Sequence, residues 1–127
     1  MNTKLQRRII VNGQYVKDLS FESPNAPGSL MQLSERPKID ISFDMHGNPL
    51  KEEVYELLIR TTCKASMADD KSLFVVEVAY GGVFTIPGLS KEEAQPVLMI
   101  EAATLLFPFV RRLVADVTRD GGFPPLL

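Results

Sequence analysis

Four stretches of this sequence alternate with a period of two, and most of the intervals between them are too short to hold a helix. Only an extended strand sends successive side chains to opposite faces, so the pattern commits much of the chain to sheet. Residues 14–22 set Tyr15, Leu19 and Phe21 against Asp18, Ser20 and Glu22. Residues 38–45 set Ile39, Ile41, Phe43 and Met45 against Lys38, Asp40, Ser42 and Asp44. Residues 53–65 carry Tyr55, Leu57, Ile59, Thr61, Cys63 and Ala65 on one side, with Glu56, Leu58, Arg60, Thr62 and Lys64 on the other. Residues 73–80 separate Phe74, Val76, Val78 and Tyr80 from Leu73, Val75, Glu77 and Ala79. His46-Gly47-Asn48-Pro49 reads as the turn after the second run, and Asp69-Asp70-Lys71 as the turn after the third. Gly81-Gly82 interrupts the fourth run before Val83 to Ile86 resume it, which predicts a bulge or kink. The expected product is a four-stranded antiparallel sheet with one covered face.

The period changes at Pro87-Gly88. Ser90 followed by Glu93 is a capping-box pattern, so a short helix should begin near Lys91. Pro96 suits the first turn of a second helical run, which continues to about Arg119 and stops at Gly121-Gly122. Pro108 should kink it. The fold class is therefore α+β: the sheet, with a short and a long C-terminal helix packed on one side. A length of 127 residues allows a single domain, residues 1–127, with residues 1–13 expected to form a mobile N-terminal arm.

The long helix is too apolar for one sheet. From Val97 to Val110 the only polar side chains are Glu101 and Thr104. Leu98, Ala102, Leu105, Phe109, Leu113 and Val117 form one stripe, and Leu106, Val110 and Val114 form another. A helix on a single sheet needs one apolar stripe roughly 100° wide. A second stripe calls for a second layer, which another copy of the chain would supply, in the first instance as a two-fold dimer.

Several function classes fall away. A formal charge of −2 gives no basic face for nucleic acid. The basic run Lys4, Arg7 and Arg8 precedes only Ile9, Ile10 and Val11, too short an apolar core for an export signal. No charge-free apolar window approaches a membrane span, so no integral membrane association is expected, and the cytoplasm is the default address. The single cysteine, Cys63, gives no internal disulfide and no cysteine metal cluster. Its place on the inner face of a strand suits a small apolar residue. His46, the one histidine, has no partner motif and reads as a solvated side chain. Gly81-Gly82 is not part of a phosphate loop, and Asp69-Asp70 lacks further ligand spacing. No catalytic residue, cofactor or metal site is expected. What remains is a surplus of apolar groups in irregular places: Leu30, Met31, Leu33, Phe107 and Phe123. They either close the core beneath a loop or border a groove that accepts extended apolar chain.

Three blocks also resemble a known family: KDLSFESPNAP (17–27), FVVEVAYGGVFTIPG (74–88) and LFPFVRRLVADVTRDGGFPPL (106–126). In order and combination they resemble SecB, the bacterial protein-export chaperone. The resemblance implies a cytoplasmic homotetramer, a dimer of dimers, without enzymatic activity. Such a protein holds unfolded preproteins in a hydrophobic groove and delivers them to the motor ATPase SecA. It implies that Asp18, Glu22, Val75 and Glu77 form a flat SecA-binding surface. It assigns Leu19, Phe21, Pro24, Pro27, Leu30, Leu33, Phe74, Val76, Val78, Tyr80 and Phe107 to preprotein binding or the tetramer interface. In the family the proline-bracketed segment after the first strand crosses over and walls the groove. This chain departs from the family pattern at Val75, Val76 and Tyr80, and the sequence stops at Leu127, where the family usually continues into an acidic tail. Two other readings are a related chaperone of a toxin–antitoxin system and a carrier or enzyme for a small apolar ligand in the helix–sheet cavity.

Overall fold

A computed structural model of the chain describes residues 9–31 and 36–127. Strands β1 (Ile10–Glu22), β2 (Lys38–Lys51), β3 (Val54–Ser66) and β4 (Ser72–Thr85) form an antiparallel sheet in the order β1-β4-β3-β2. A turn of 3₁₀ helix, Gly28–Met31, follows β1. Helix α1 (Lys91–Val97) leads through a wider π turn (Leu98–Ala102) into α2 (Ala103–Asp120). The four strands and the covered face follow the alternation. The β3 residues Tyr55, Leu57, Ile59, Cys63 and Ala65 join Phe74, Val76, Val78, Tyr80 and Phe84 of β4 in the core beneath the helices.

The local punctuation differs from expectation at five points. His46 to Pro49 do not turn; β2 runs through them, pairing His46 with Leu58 and Pro49 with Tyr55. Proline is tolerated there because β2 is an edge strand, where one row of backbone donors is not needed by the ladder. The reversal falls instead at Glu52-Glu53, where Glu53 takes a positive φ of 62°. Gly81-Gly82 causes no bulge: β4 pairs without a shift through both glycines. The irregularities lie in β1, between Val11 and Gly13 and between Val16 and Asp18. The second of these moves Tyr15 to the face opposite Leu19 and Phe21, since one extra residue reverses the side-chain sense of all that precede it. Residues 10–13 belong to β1 and not to the expected arm of residues 1–13; residues 1–8, with Lys4, Arg7 and Arg8, lie outside the described residues. Pro96 lies inside α1, and the helical path continues past it without a second cap.

The helix ends are as expected. The Ser90 hydroxyl accepts from the Glu93 backbone N–H at 3.2 Å, and the Ser90 N–H donates to the Glu93 carboxylate at 3.0 Å, completing the capping box. At the other end Gly122 takes φ +95°. The Gly122 N–H then donates to Arg119 O and the Phe123 N–H to Thr118 O, which closes a Schellman motif. That turn sends Phe123 back into the core, where its ring lies 4.8 Å from Phe74 and 6.4 Å from Phe21.

Of the two helical stripes, Leu106, Val110 and Val114 face the sheet and are buried, and so are Leu98 and Ala102 at the start of the other. Leu113 and Val117 are half-buried, as is Phe109, and Leu105 is 40% exposed.

Candidate functional site: an apolar groove and a charged sheet face

α2 lies mainly across β4, and one helix does not span four strands. The inner face of β2 is therefore left open: Ile39, Ile41 and Phe43 are 40%, 51% and 59% exposed. Between this floor and the flank of α2 is a hollow of about 250 Å³. Ile41, Phe43, Thr61 and Cys63 form its floor, and Phe107 and Val110 its wall. Phe43 and Phe107 meet edge to face at 5.7 Å across it. Farther along β2 a second hollow of about 330 Å³ lies between Pro37, Ile39 and Phe74 on one side and the returning segment 123–126 on the other. Leu126 borders both, so the two hollows lie end to end as an apolar channel along the open strand, with Leu126 between them. Leu126 is fixed by its N–H, which donates to Thr118 Oγ1 at 3.0 Å. Burial pushes the Cys63 thiol pKa up, which favours the neutral thiol and suits packing rather than nucleophilic work.

The opposite face of the sheet is polar. Register places Glu22 beside Val75, Ser20 beside Glu77 and Asp18 beside Ala79, so Asp18, Glu22, Val75 and Glu77 share one surface, as the alternation predicted. On β3, Lys64 stands beside Val75 and Arg60 beside Ala79, and β2 adds Asp40 and Asp44. The face thus reads as acidic, basic and acidic bands across the strands. His46 is on it as well, bonded to Asp44 at 2.9 Å.

The eleven residues assigned to preprotein binding or assembly do not converge on one place. Phe107 and Phe74 line the two hollows. Phe21 stacks on Phe74 with ring centroids 5.8 Å apart. Val76, Val78 and Tyr80 are buried within this subunit, under α2; Tyr80 stacks on Phe109 at 6.0 Å. Leu19 is on the inner face of β1, 41% exposed. Leu30 packs at the core edge beside Gly122. Pro24 and Pro27 are exposed and border none of the channel; their segment is tied to the start of β4 by Ser23 Oγ donating to Leu73 O and Asn25 Nδ2 donating to Ser72 O. Leu33 lies outside the described residues. The sequence reading missed Ile41, Phe43, Thr61, Val110 and Arg111 as groove residues. The available signal was a count: four strands present more inner face than one apolar helix stripe covers.

Among the described residues no helix is long and apolar enough to cross a membrane, and no group of three or more His, Cys, Asp or Glu side chains could hold a metal.

Comparison with known proteins agrees with this architecture. The chain is similar to the Mesorhizobium japonicum protein-export protein SecB, 48% identical over 99% of this chain and 75% of that protein. It is similar also to its Rhodospirillum centenum counterpart, 46% identical over 94% and 71%. Among solved structures, the Mycobacterium tuberculosis SecB-like chaperone Rv1957, in complex with a ChAD peptide from the HigA1 antitoxin, shares the fold. Its TM-score is 0.77, over 97% of this chain and 89% of that one, at 15% identity. The family model for the preprotein translocase subunit SecB matches residues 2–127, and the chain belongs to the SecB family.

Proposed function

We propose that this chain is a cytoplasmic protein-export chaperone that holds unfolded preproteins by contact alone, with no catalysis and no ATP. The observation that carries the reading is the apolar channel along the uncovered inner face of β2. An extended client segment has its own period of two, so every second side chain falls over Ile39, Ile41 and Phe43 in turn. Each 100 Å² of apolar surface so buried contributes roughly 2.5 kcal/mol, less than about a hundredfold in affinity. Single sites are therefore weak. A homotetramer, arranged as a dimer of dimers, lets one long client engage several channels, and effective concentration supplies the strength.

Asp18, Glu22, Val75 and Glu77 serve as the docking surface for the motor ATPase SecA. Their common face is the flat, solvated side of the sheet, away from the channel, so client and motor are able to bind together. Export is favoured over guardianship of an antitoxin because the relatives sharing 46–48% identity are export proteins, while the likeness to the antitoxin-binding chaperone is one of fold.

Phe43→Asp tests the channel. Phe43 is 59% exposed, so the substitution should leave the fold intact by circular dichroism. The parent protein should suppress aggregation of a denatured preprotein, and the variant should need severalfold more protein to match it. An inactive parent, or a variant as good as the parent, rejects the channel as the client site.

A further inference from the structure

The channel has one polar feature that its packing does not explain. Thr61 is on the inner face of β3, opposite Phe43 on one side and Val78 on the other, and is 4% exposed. Its hydroxyl has no hydrogen-bond partner, and the residue lines the 250 Å³ hollow. The other buried threonine behaves differently. Thr118 Oγ1 donates toward Val114 O and Ala115 O and accepts from the Leu126 N–H. A water has few partners beside Thr61, because a held water needs two or more polar neighbours and, apart from Arg111, the hollow is lined by Ile41, Phe43, Phe107, Val110, Val114, Leu126, Leu127 and a neutral thiol. Ser29 Oγ is also unpartnered, but it borders a separate hollow with Asn25 and Lys71, where water finds such neighbours.

We propose that this hollow is a subsite for a tyrosine side chain of the bound client segment, with Thr61 as its specificity-determining residue. The proposal rests on the channel being the client site. The hollow is smaller than the roughly 300–1,000 Å³ usual for whole small-molecule ligands, and suits one large side chain. Its walls take an aromatic ring, with Phe43 and Phe107 offering edges and faces. Its floor carries the Thr61 side chain, whose hydroxyl is enclosed without a client and reaches the hollow by rotation about χ1. A phenol both donates and accepts, so it pairs with Thr61 in either sense; phenylalanine fills the same space and leaves the hydroxyl unpaired.

The test is fluorescence anisotropy with two short, otherwise apolar peptides that differ only in one central Tyr or Phe, titrated with the full chain. The Tyr peptide should bind roughly three- to tenfold tighter, the range of one net hydrogen bond. Thr61→Val, similar in shape, should abolish the difference by weakening the Tyr peptide alone, and Thr61→Ser should keep it. Equal affinities for the parent protein overturn the subsite but leave the channel standing, as does a preference that survives in Thr61→Val. If the parent binds neither peptide yet still holds a denatured preprotein, the subsite falls alone; if it holds neither, the proposed function falls with it.

Discussion

Tyr15 shows how one residue of register decides an environment. Strict alternation would place it with Leu19 and Phe21, in the core. The irregularity between Val16 and Asp18 puts it on the outer face, where its ring covers Gly81 and its hydroxyl donates to Glu56. Nothing near Lys17 marks a bulge in the sequence, because no glycine or proline is required there. The pair of glycines that looked like a bulge instead provides room: a Cβ on Gly81 would lie 2.6 Å from the Tyr15 ring. Burial, and then the bond to Glu56 and its charge, push the Tyr15 phenol up to about 12 from an ordinary 10. Folded and unfolded chains both carry the proton below pH 10. Above it the unfolded chain ionises first, so this residue's contribution is lost as pH rises toward 12. Urea unfolding of the parent and Tyr15→Phe should show a constant gap in midpoint up to about pH 10 and a shrinking gap beyond it. A gap that does not change between pH 9 and 12 would remove the linkage.

At the level of elements, periodicity and helix caps are reliable guides, and glycine and proline within the sheet are not. The strand runs and both helix ends were legible, because period, capping box and terminal glycines are local signals carried by a few adjacent residues. Pro49 and Gly47 were misleading because their meaning depends on what lies beside β2. On an edge, proline costs little, and Gly47 accommodates Leu98, whose Cδ2 would lie 2.5 Å from an added Cβ. The helix shows the same dependence. Its sequence displays two apolar stripes of similar strength, and only the sheet determines that Leu106, Val110 and Val114 are buried throughout while the other stripe is buried only at Leu98 and Ala102. Leu106→Ala should therefore cost about 2–5 kcal/mol in denaturant unfolding, the range for a buried leucine. Leu105→Ala, one residue away, should cost less than about 1 kcal/mol in an isolated subunit. Similar losses for the two would mean that the helix sits in a different rotation.

On the scale of the whole molecule, the groove was only partly legible. Phe107 and Phe74 stand out in the sequence, whereas Thr61 and Phe43 look like ordinary inward positions; their place on the groove follows from the width of the sheet relative to the helix, which no single segment encodes. The same geometry separates two kinds of surface. Phe107 and Val110 turn toward β2 and the channel. Phe109 turns toward Tyr80, with the Arg112 guanidinium 5.5 Å above its ring, and Leu105 lies one turn away on that flank. Val16 and Leu19 of β1, 47% and 41% exposed, continue this second apolar area toward the sheet edge. A chaperone of the proposed kind needs the first surface open for clients and the second covered by its own copies. A charge on the second flank should then disrupt assembly while sparing the channel. Leu105→Asp should lower the subunit number seen in native mass spectrometry and weaken the hold on a long client. It should leave the affinity for a single short peptide within about twofold, since that binding draws on no avidity. Phe43→Asp should do the reverse, keeping the assembly and losing the peptide. A parent protein that is a monomer at micromolar concentration, or a Leu105→Asp variant with unchanged assembly, would show that this flank is not where copies meet.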